Sequence, residues 1–254
     1  MEQSLAMMIV ENIFRWFHIA AGILWIGLLY FFNFVNAPFA ATMDGETKKK
    51  VVPELMPRAL FFFRGGALIT WATGVLLLMM VFYHGGIALQ TGEWSRGAFV
   101  MIALTFIAPF AYDPIAKEVK NQRLMMIMGL ALVGAVLIGY HRFGGFSFRG
   151  IVIHLGAMFG TIMAYNVWFR IWPAQRQIIT AVKNGQAPDA NLVALAGLRS
   201  KHNTYMSLPL VWTMINSHSA FTQPEQWGVA LVVVIIGWFG TMQLYKRAGK
   251  VKGF

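Results

Sequence analysis

The sequence predicts an all-α, polytopic membrane protein with about seven transmembrane helices, its N-terminus outside and its C-terminus in the cytoplasm. Three observations lead to this prediction. Of the 254 residues, 57% are hydrophobic and only 12% are charged, whereas a soluble domain carries about 25% charged residues. The apolar residues form long runs, and one helical crossing of a membrane needs about 20 apolar residues. The basic residues fall between these runs and are concentrated in alternate loops.

Seven apolar runs are long enough, or nearly long enough, to cross a membrane, and the third and sixth are the shortest. No hydrophilic stretch is long enough for a second domain, so residues 1–254 are expected to form a single transmembrane helical domain. The longest loop, 173–201, is expected to contain a coil over residues 183–191 between two short helices. The predicted spans are 8–39, 60–83, 98–112, 124–140, 151–172, 205–218 and 227–245.

The positions of Lys and Arg set the predicted orientation. All but four of the 21 basic residues lie in or beside the odd-numbered loops or in the C-terminal tail. The positive-inside rule places these segments in the cytoplasm, and an odd number of spans then leaves the N-terminus outside. The same rule explains the formal charge of +11, which would suggest nucleic-acid binding in a soluble protein. Contact with membrane lipid is therefore expected, and nucleic-acid binding is not.

Several kinds of site are excluded or disfavoured by the residues that the sequence lacks. There is no cysteine, which excludes disulfides, zinc–thiolate sites, iron–sulfur clusters and covalently attached c-type haem. Acidic residues are scarce within the spans, because Asp113 is expected to end the third helix and Asp44 to lie in a loop. A proton-coupled transporter usually carries a buried carboxylate, so this scarcity counts against one.

Histidine gives the strongest indication of a site, because ionisable groups inside a membrane are costly and are candidate functional residues. In the predicted topology only His202 is cytoplasmic. The other five histidines lie toward the outer half of the membrane, and they are His18, His84, His141, His154 and His218. His84 and His141 border glycine-rich turns and are expected to be interfacial residues. The remaining three are candidate ligands of haem or a metal, although each could instead be a hydrogen-bonded packing residue.

The first helix has a face that suits a haem b group, which needs neutral imidazoles from facing helices and space beside them. His18, Gly22 and Trp25 share this face at helical spacing. Arg15, nearly one turn earlier, could pair with a haem propionate. Small residues are also usual where membrane helices pack, so the pattern is not unique to haem.

Two further groups of polar residues have open interpretations. His202 follows Arg199-Ser200-Lys201 in a polar cluster that is typical of a helix start, which could be solvated or could bind an anion. Intramembrane asparagines could bond across helices, or their amides could recognise a polar, planar ligand. These asparagines are Asn33, Asn36, Asn166 and Asn216.

Four blocks of the sequence together resemble the membrane domain of PuuD-type bacterial urate hydroxylases. The first two are HIAAGILWIG at 18–27 and FFNFVN at 31–36. The third runs from HLGAM at 154–158 to NVWFRIWPAQ at 166–175, and the fourth runs from RSKHNTYMSLP at 199–209 to MINSH at 214–218. The last two blocks are specific, and the resemblance spans nearly the whole chain.

The resemblance implies oxidation of urate to 5-hydroxyisourate, with electrons passed to a cytochrome c domain fused at the C-terminus. Applied to this sequence, the resemblance implies that the candidate redox-site or haem positions are His18, His154, His202 and His218. This sequence ends after the seventh predicted span and has no cysteine, so it does not include that cytochrome domain. We therefore expect a separate electron acceptor, such as a periplasmic cytochrome c.

Together these observations predict a haem-b-binding oxidoreductase of the bacterial inner membrane. Two of His18, His154 and His218 are expected to hold the iron, and Arg15 or Arg149 to contact the propionates. One alternative is a non-catalytic accessory subunit of a larger membrane complex, with other membrane subunits as partners. Another is a solute permease, and a third is a metal-ion permease that uses the outer histidines and would bind copper or zinc.

Overall fold

The computed structural model describes residues 4–216, 221 and 223–251. Within these residues the regular structure is helical, apart from one isolated β-bridge between Leu89 and Phe146, which confirms the predicted all-α class. The α-helices of the described residues are α1 Leu5–Tyr30, α2 Ala37–Thr42, α3 Gly45–Leu77, α4 Arg96–Glu118, α5 Gln122–Ile138, α6 Phe148–Asn166, α7 Trp172–Lys183, α8 Ala190–Ile215 and α9 Trp227–Ala248.

Several α-helices continue directly into short π-helical segments. Such segments are rare in proteins overall, and those that occur are often found at functional sites. These segments are π1 Phe31–Asn36, π2 Leu78–His84, π3 Gly139–Phe143 and π4 Val167–Ile171. π1 joins α1 to α2 in one continuous helix, and π4 joins α6 to α7 in another. Pro38 and Pro173 are the second residues of the helices that follow these two joints. Proline has no N–H to donate, which accounts for the break in the α-helical bonding pattern there.

Six helices within the described residues are long and apolar enough to cross a membrane, which confirms a multi-pass membrane protein. They are Leu5–Thr42, Gly45–His84, Arg96–Glu118, Gln122–Phe143, Phe148–Lys183 and Pro224–Ala248. Each contains one of the predicted spans. The remaining predicted span, 205–218, overlaps α8 and extends beyond the described residues. The count of seven and the orientation therefore stay predictions.

Three predicted boundaries are wrong. α3 begins at Gly45, so most of the predicted first loop is helical, and Asp44 caps it by accepting a 2.8 Å hydrogen bond from the Thr47 N–H. α4 extends to Glu118, so Asp113 lies inside the helix and does not end it. α8 begins at Ala190 and is 26 residues long, so it is not a short helix. The predicted coil between α7 and α8 is confirmed at residues 184–189.

Large apolar side chains cover much of the outer surface, as expected for contact with lipid. Trp16, Ile23 and Phe110 are each 70% exposed. The continuous helix Phe148–Lys183 differs from the others, because 72% of its apolar window is buried, against 11% for Leu5–Thr42. The helix that carries His154 is therefore the most enclosed of the six.

The chain groups into two compact units, each made of separate stretches. Unit 1 comprises Met1–Arg15, Thr73–Ile162 and Met206–Phe239, and unit 2 comprises Trp16–Ala72, Met163–Tyr205 and Gly240–Phe254. Unit 2 contains 14 of the 21 Lys and Arg residues but only four of the ten Asp and Glu residues. Unit 2 therefore carries nearly all of the net positive charge. The single transmembrane domain over residues 1–254 stays a prediction.

Candidate functional site

Two loops of unit 1 are hydrogen-bonded to each other and fix the start of α6. The Gln90 N–H donates to the Gly145 carbonyl, and the Ser147 N–H donates to the Ala88 carbonyl, each at 3.0 Å. The Ala88 carbonyl also approaches Gly150 so closely that a Cβ at position 150 would clash with it. The glycine is thus required for the loop to pack on the first turns of α6, where His154 lies.

His154 is fully buried in unit 1, and both of its ring nitrogens have hydrogen-bond partners. Nδ1 lies 2.7 Å from the carbonyl oxygen of Gly150, and Nε2 lies 2.9 Å from the hydroxyl of Tyr83. A carbonyl can only accept, so Nδ1 carries the hydrogen and Nε2 accepts from Tyr83. This tautomer, held by a backbone carbonyl, is the one that metal-ligating histidines commonly adopt.

Aromatic rings enclose the His154 imidazole. Phe146 stacks on it with ring centroids 4.3 Å apart and planes at 19°, while Tyr83 and Tyr140 lie with centroids at 5.6 and 5.7 Å. The Tyr140 hydroxyl is hydrogen-bonded to Thr105 Oγ1 at 2.7 Å, which holds that ring in place. Any ligand that reaches Nε2 of His154 must displace the Tyr83 hydroxyl.

His18 in unit 2 has the same tautomer. Its Nδ1 lies 2.9 Å from the carbonyl oxygen of Thr70 on α3, so Nδ1 carries the hydrogen and Nε2 has the lone pair. The predicted face of His18, Gly22 and Trp25 does pack against α3. A Cβ on Gly66 would lie 3.3 Å from Trp25 Cβ, and a Cβ on Gly22 would lie 3.7 Å from the Thr70 methyl. The room beside Gly22 is therefore already occupied by Thr70.

Arg15 already has an anionic partner. Its guanidinium forms an ion pair with Glu11 at 2.7 Å, and the Glu11 side chain is only 16% exposed. Glu11 is a carboxylate within the first span that the sequence analysis missed, and its spacing of four residues from Arg15 on a helix was the available signal. Arg149, the other candidate for propionate contact, is exposed.

The remaining histidines are distributed as follows. His84 ends π2 and is exposed, and His141 lies in π3, so both are at helix ends as predicted. His202 lies well inside α8, so the predicted helix start at this position is wrong. His218 lies outside the described residues. His154 belongs to unit 1, whereas His18 and His202 belong to unit 2, and their meeting at one haem stays a prediction.

Tyr83 is a site residue that the sequence analysis missed. It was identified only as the end of the second span, beside the glycine-rich turn that follows His84. The structure places its hydroxyl on Nε2 of His154, which is 71 residues away in the sequence. The only signal available was a tyrosine at the same predicted depth as His154, and tyrosines are common there because their rings favour the membrane interface.

Three of the four intramembrane asparagines bond to other helices and Asn216 bonds within its own helix, which favours their structural interpretation. In unit 2 the Asn33 amide donates to Ser200 Oγ and accepts from the Tyr245 hydroxyl, both at 2.8 Å. The buried Asn166 amide donates to the Asn203 side-chain oxygen, also at 2.8 Å. The other two also donate hydrogen bonds, and they are Asn36 and Asn216.

No group of three or more His, Cys, Asp or Glu residues among the described parts of the chain is arranged to hold a bare metal ion. A permease that binds copper or zinc through the outer histidines therefore gains no support from these residues. A haem needs only one or two protein ligands for its iron, so this finding does not bear on haem binding.

Comparison with known proteins identifies the family. Residues 45–251 match the family described as urate oxidase N-terminal. The match covers more than half of the chain and includes His154 and His202, whereas His18 precedes it. No curated protein and no solved structure matches the chain. The resemblance predicted from the sequence is confirmed, and the chain belongs to the urate oxidase N-terminal family.

Proposed function

We propose that this chain is a urate hydroxylase-like oxidoreductase of the bacterial inner membrane, which binds haem b and passes electrons to a separate periplasmic cytochrome. The observation that carries the haem proposal is shared by His18 and His154. Each donates its Nδ1 hydrogen to a backbone carbonyl, that of Thr70 or of Gly150, and so presents the lone pair of Nε2. Such a carbonyl partner fixes the tautomer and ring orientation that an iron ligand needs.

The tautomers of His18 and His154 fit a haem, but rearrangement is required at both, because Thr70 fills the room beside Gly22 next to His18. His18 needs no change of tautomer, but Nε2 of His154 is engaged by Tyr83. Ligation by His154 therefore requires the Tyr83 side chain to turn away. Two of His18, His154 and His218 would hold the iron. Arg149 is a better candidate than Arg15 for propionate contact, because Arg15 is paired with Glu11.

A bound haem b would supply a one-electron acceptor and donor for the reaction. Oxidation of urate to 5-hydroxyisourate adds a water oxygen and releases two electrons and two protons. Because a haem takes up one electron at a time, the two electrons would leave singly. If His18 and His218 are the two that hold the iron, the Tyr83–His154 hydrogen bond stays intact and is a path by which a proton can move, because Nε2 accepts directly from the phenolic hydroxyl. The aromatic rings around His154 keep bulk water from its imidazole, which is fully buried.

Absorption spectra of the purified protein, oxidised and reduced, test haem binding. We expect a Soret band and a b-type α band, and loss of haem in two of the three single variants His18→Ala, His154→Ala and His218→Ala. His84→Ala is the matched control, because His84 is exposed at the end of π2 and its loss should not change the haem content. Full haem content in all three variants would contradict these ligands.

If the spectra show no haem, the proteins that co-purify and the metal content of the sample distinguish the accessory subunit from the permease. A protein without a Soret band that co-purifies with other membrane subunits would support the accessory-subunit alternative. A protein without haem but with bound copper or zinc would support a permease.

The urate reaction needs a separate measurement. Haem-loaded protein should reduce a soluble cytochrome c when urate is added, and the single histidine variants that have lost haem should not. If the haem is present and urate produces no reduction, the haem assignment stands and the substrate assignment is wrong.

A further inference from the structure

Arg64 lies on α3 in unit 2, and aromatic rings surround its guanidinium. The guanidinium carbon lies 4.0 Å from the ring centroid of Trp172, 5.9 Å from that of Trp168 and 5.8 Å from that of Phe61. Contact at 4.0 Å is a close cation–π interaction, and it holds the charged group against Trp172. A guanidinium packed on a ring keeps the N–H donors at its edge available for a planar arrangement of acceptors.

Two hydrogen-bond donors at this position have no acceptor within the described residues. None of those residues forms a hydrogen bond or an ion pair with Arg64, in contrast to Arg58 on the same helix, which pairs with Glu54 at 2.6 Å. Nε1 of Trp168 is buried and also has no hydrogen-bond partner there. A buried donor left unsatisfied in a membrane protein is costly, and the Arg64 side chain is only half-buried, so its guanidinium edge is open to an acceptor from outside the chain.

The surroundings of Arg64 indicate that the acceptor is anionic and comes from the lipid phase. Unit 2 has a large excess of basic residues, and its four acidic residues, Asp44, Glu46, Glu54 and Asp189, are all exposed. The neighbouring Phe61 side chain is 59% exposed, and Phe169, next to Trp168, is 61% exposed. Exposed phenylalanines on membrane helices face acyl chains, so Arg64 borders a lipid-covered surface.

We propose that Arg64, Trp168 and Trp172 form a binding site for the phosphate of an anionic phospholipid. The phosphate oxygens accept hydrogen bonds from the guanidinium edge and, after a small shift of the Trp168 ring that uncovers its buried N–H, from the indole. Trp172 holds the cation in place, and Phe61 contacts the acyl chains. In the predicted topology Arg64 lies near the cytoplasmic end of its span, where the leaflet is rich in anionic lipid and basic pockets between helices bind such headgroups. This site is independent of haem and urate.

Native mass spectrometry of the delipidated protein, titrated with phosphatidylglycerol, tests the proposal. We expect Arg64→Gln to weaken binding about five- to tenfold, because one guanidinium near the headgroup is lost. Trp168→Phe keeps the ring but removes the N–H, and should weaken binding about two- to fivefold. Arg58→Gln is the matched control, because it removes the same charge from the same helix at an ion-paired position, and it should leave binding unchanged.

Titrations with phosphatidylcholine and with inorganic phosphate complete the test, and both are expected to bind weakly and without dependence on Arg64. Equal loss in Arg64→Gln and Arg58→Gln would overturn the site in favour of general surface charge. Equal binding of phosphatidylcholine, or binding of inorganic phosphate with the same dependence on Arg64, would overturn the assignment to anionic lipid. If Arg64→Gln does not fold, Arg64→Lys takes its place, and unchanged binding in both Arg64→Lys and Trp168→Phe would overturn the proposal.

Discussion

The phenolic oxygen of Tyr83 lies 2.9 Å from Nε2 of His154. This hydrogen bond joins π2 to α6 within unit 1, and it occupies the nitrogen that an iron ligand would use. The other nitrogen, Nδ1, is held by the Gly150 carbonyl from the preceding turn of the same helix. The imidazole is therefore satisfied without a cofactor, and haem binding by His154 requires an exchange of Tyr83 for iron.

Replacing Tyr83 by phenylalanine tests this exchange. In the haem-free protein the change should lower the free energy of unfolding by about 1–2 kcal/mol, because it leaves the buried Nε2 without a donor. In the haem-loaded protein the loss should be smaller, because iron would already hold Nε2. Thermal unfolding in detergent, with and without haem, gives both values. An equal loss in the two forms would mean that His154 is not an iron ligand.

Gly66 sets how closely α1 approaches α3 in unit 2. A Cβ at this position would lie 3.2 Å from the Ala21 carbonyl oxygen and 3.3 Å from Trp25 Cβ. Gly66→Val should therefore destabilise the protein by about 1–3 kcal/mol through overpacking. It should also lower haem content, because separating the helices pulls the His18 ring from the Thr70 carbonyl.

Gly65 is the matched control for this substitution. It precedes Gly66 on the same helix, and a Cβ there would meet nothing within 4 Å. Gly65→Val changes the helix propensity by the same amount, so the difference in melting temperature between the two variants measures the packing alone. Equal melting temperatures would contradict a close contact at Gly66.

Asn166 and Asn203 should be energetically coupled. Both side chains are fully buried, and the amide of Asn166 donates to that of Asn203 at 2.8 Å. A double-mutant cycle of the two alanine variants should give a coupling of about 0.6 kcal/mol and at most about 1.7 kcal/mol, the average and the maximum for polar pairs between membrane helices. Asn216→Ala is the control, because that amide donates to Trp212 in its own helix, and it should show no coupling to Asn166.

Features that depend on short stretches of sequence could be predicted. The apolar runs locate the spans because the length of a run is fixed by the thickness of the bilayer. The glycine-rich turns located His84 and His141 at helix ends, and the coil between α7 and α8 followed from its polar, Gly- and Pro-containing composition. The ion pair of Glu11 and Arg15 is also a feature that a short stretch of sequence can predict, because their spacing alone predicts contact on a helix.

Features that depend on distant contacts could not be predicted. His18 bonds to Thr70, 52 residues away, and His154 bonds to Tyr83, and helical periodicity does not indicate which helices pack together. The start of α8 at Ala190 was not predicted for a related reason. Arg199 and Asn203 are buried, with exposures of 1% and 0%, yet their polarity resembles that of a solvated loop. Their burial depends on partners such as Asn166 that only the folded chain brings together.

Cysteine labelling tests the predicted topology, and the absence of native cysteine means that every label reports one introduced position. Ser4→Cys lies before α1, Gln186→Cys lies in the coil between α7 and α8, and Lys250→Cys lies after α9. We expect a membrane-impermeant maleimide to label Ser4→Cys from outside intact cells. Gln186→Cys and Lys250→Cys should react only after permeabilisation, because the positive-inside rule places both in the cytoplasm.

The comparison of Gln186→Cys with Lys250→Cys decides whether α8 crosses the membrane. Among the described residues between these positions, only α8 and α9 are long enough to cross a membrane, so two crossings put both positions on the same side and a single crossing by α9 puts them on opposite sides. This inference does not depend on the orientation of the protein. Labelling from opposite sides would mean that α8 does not cross, and would contradict the count of seven spans. Labelling of Ser4→Cys only after permeabilisation would instead contradict the orientation.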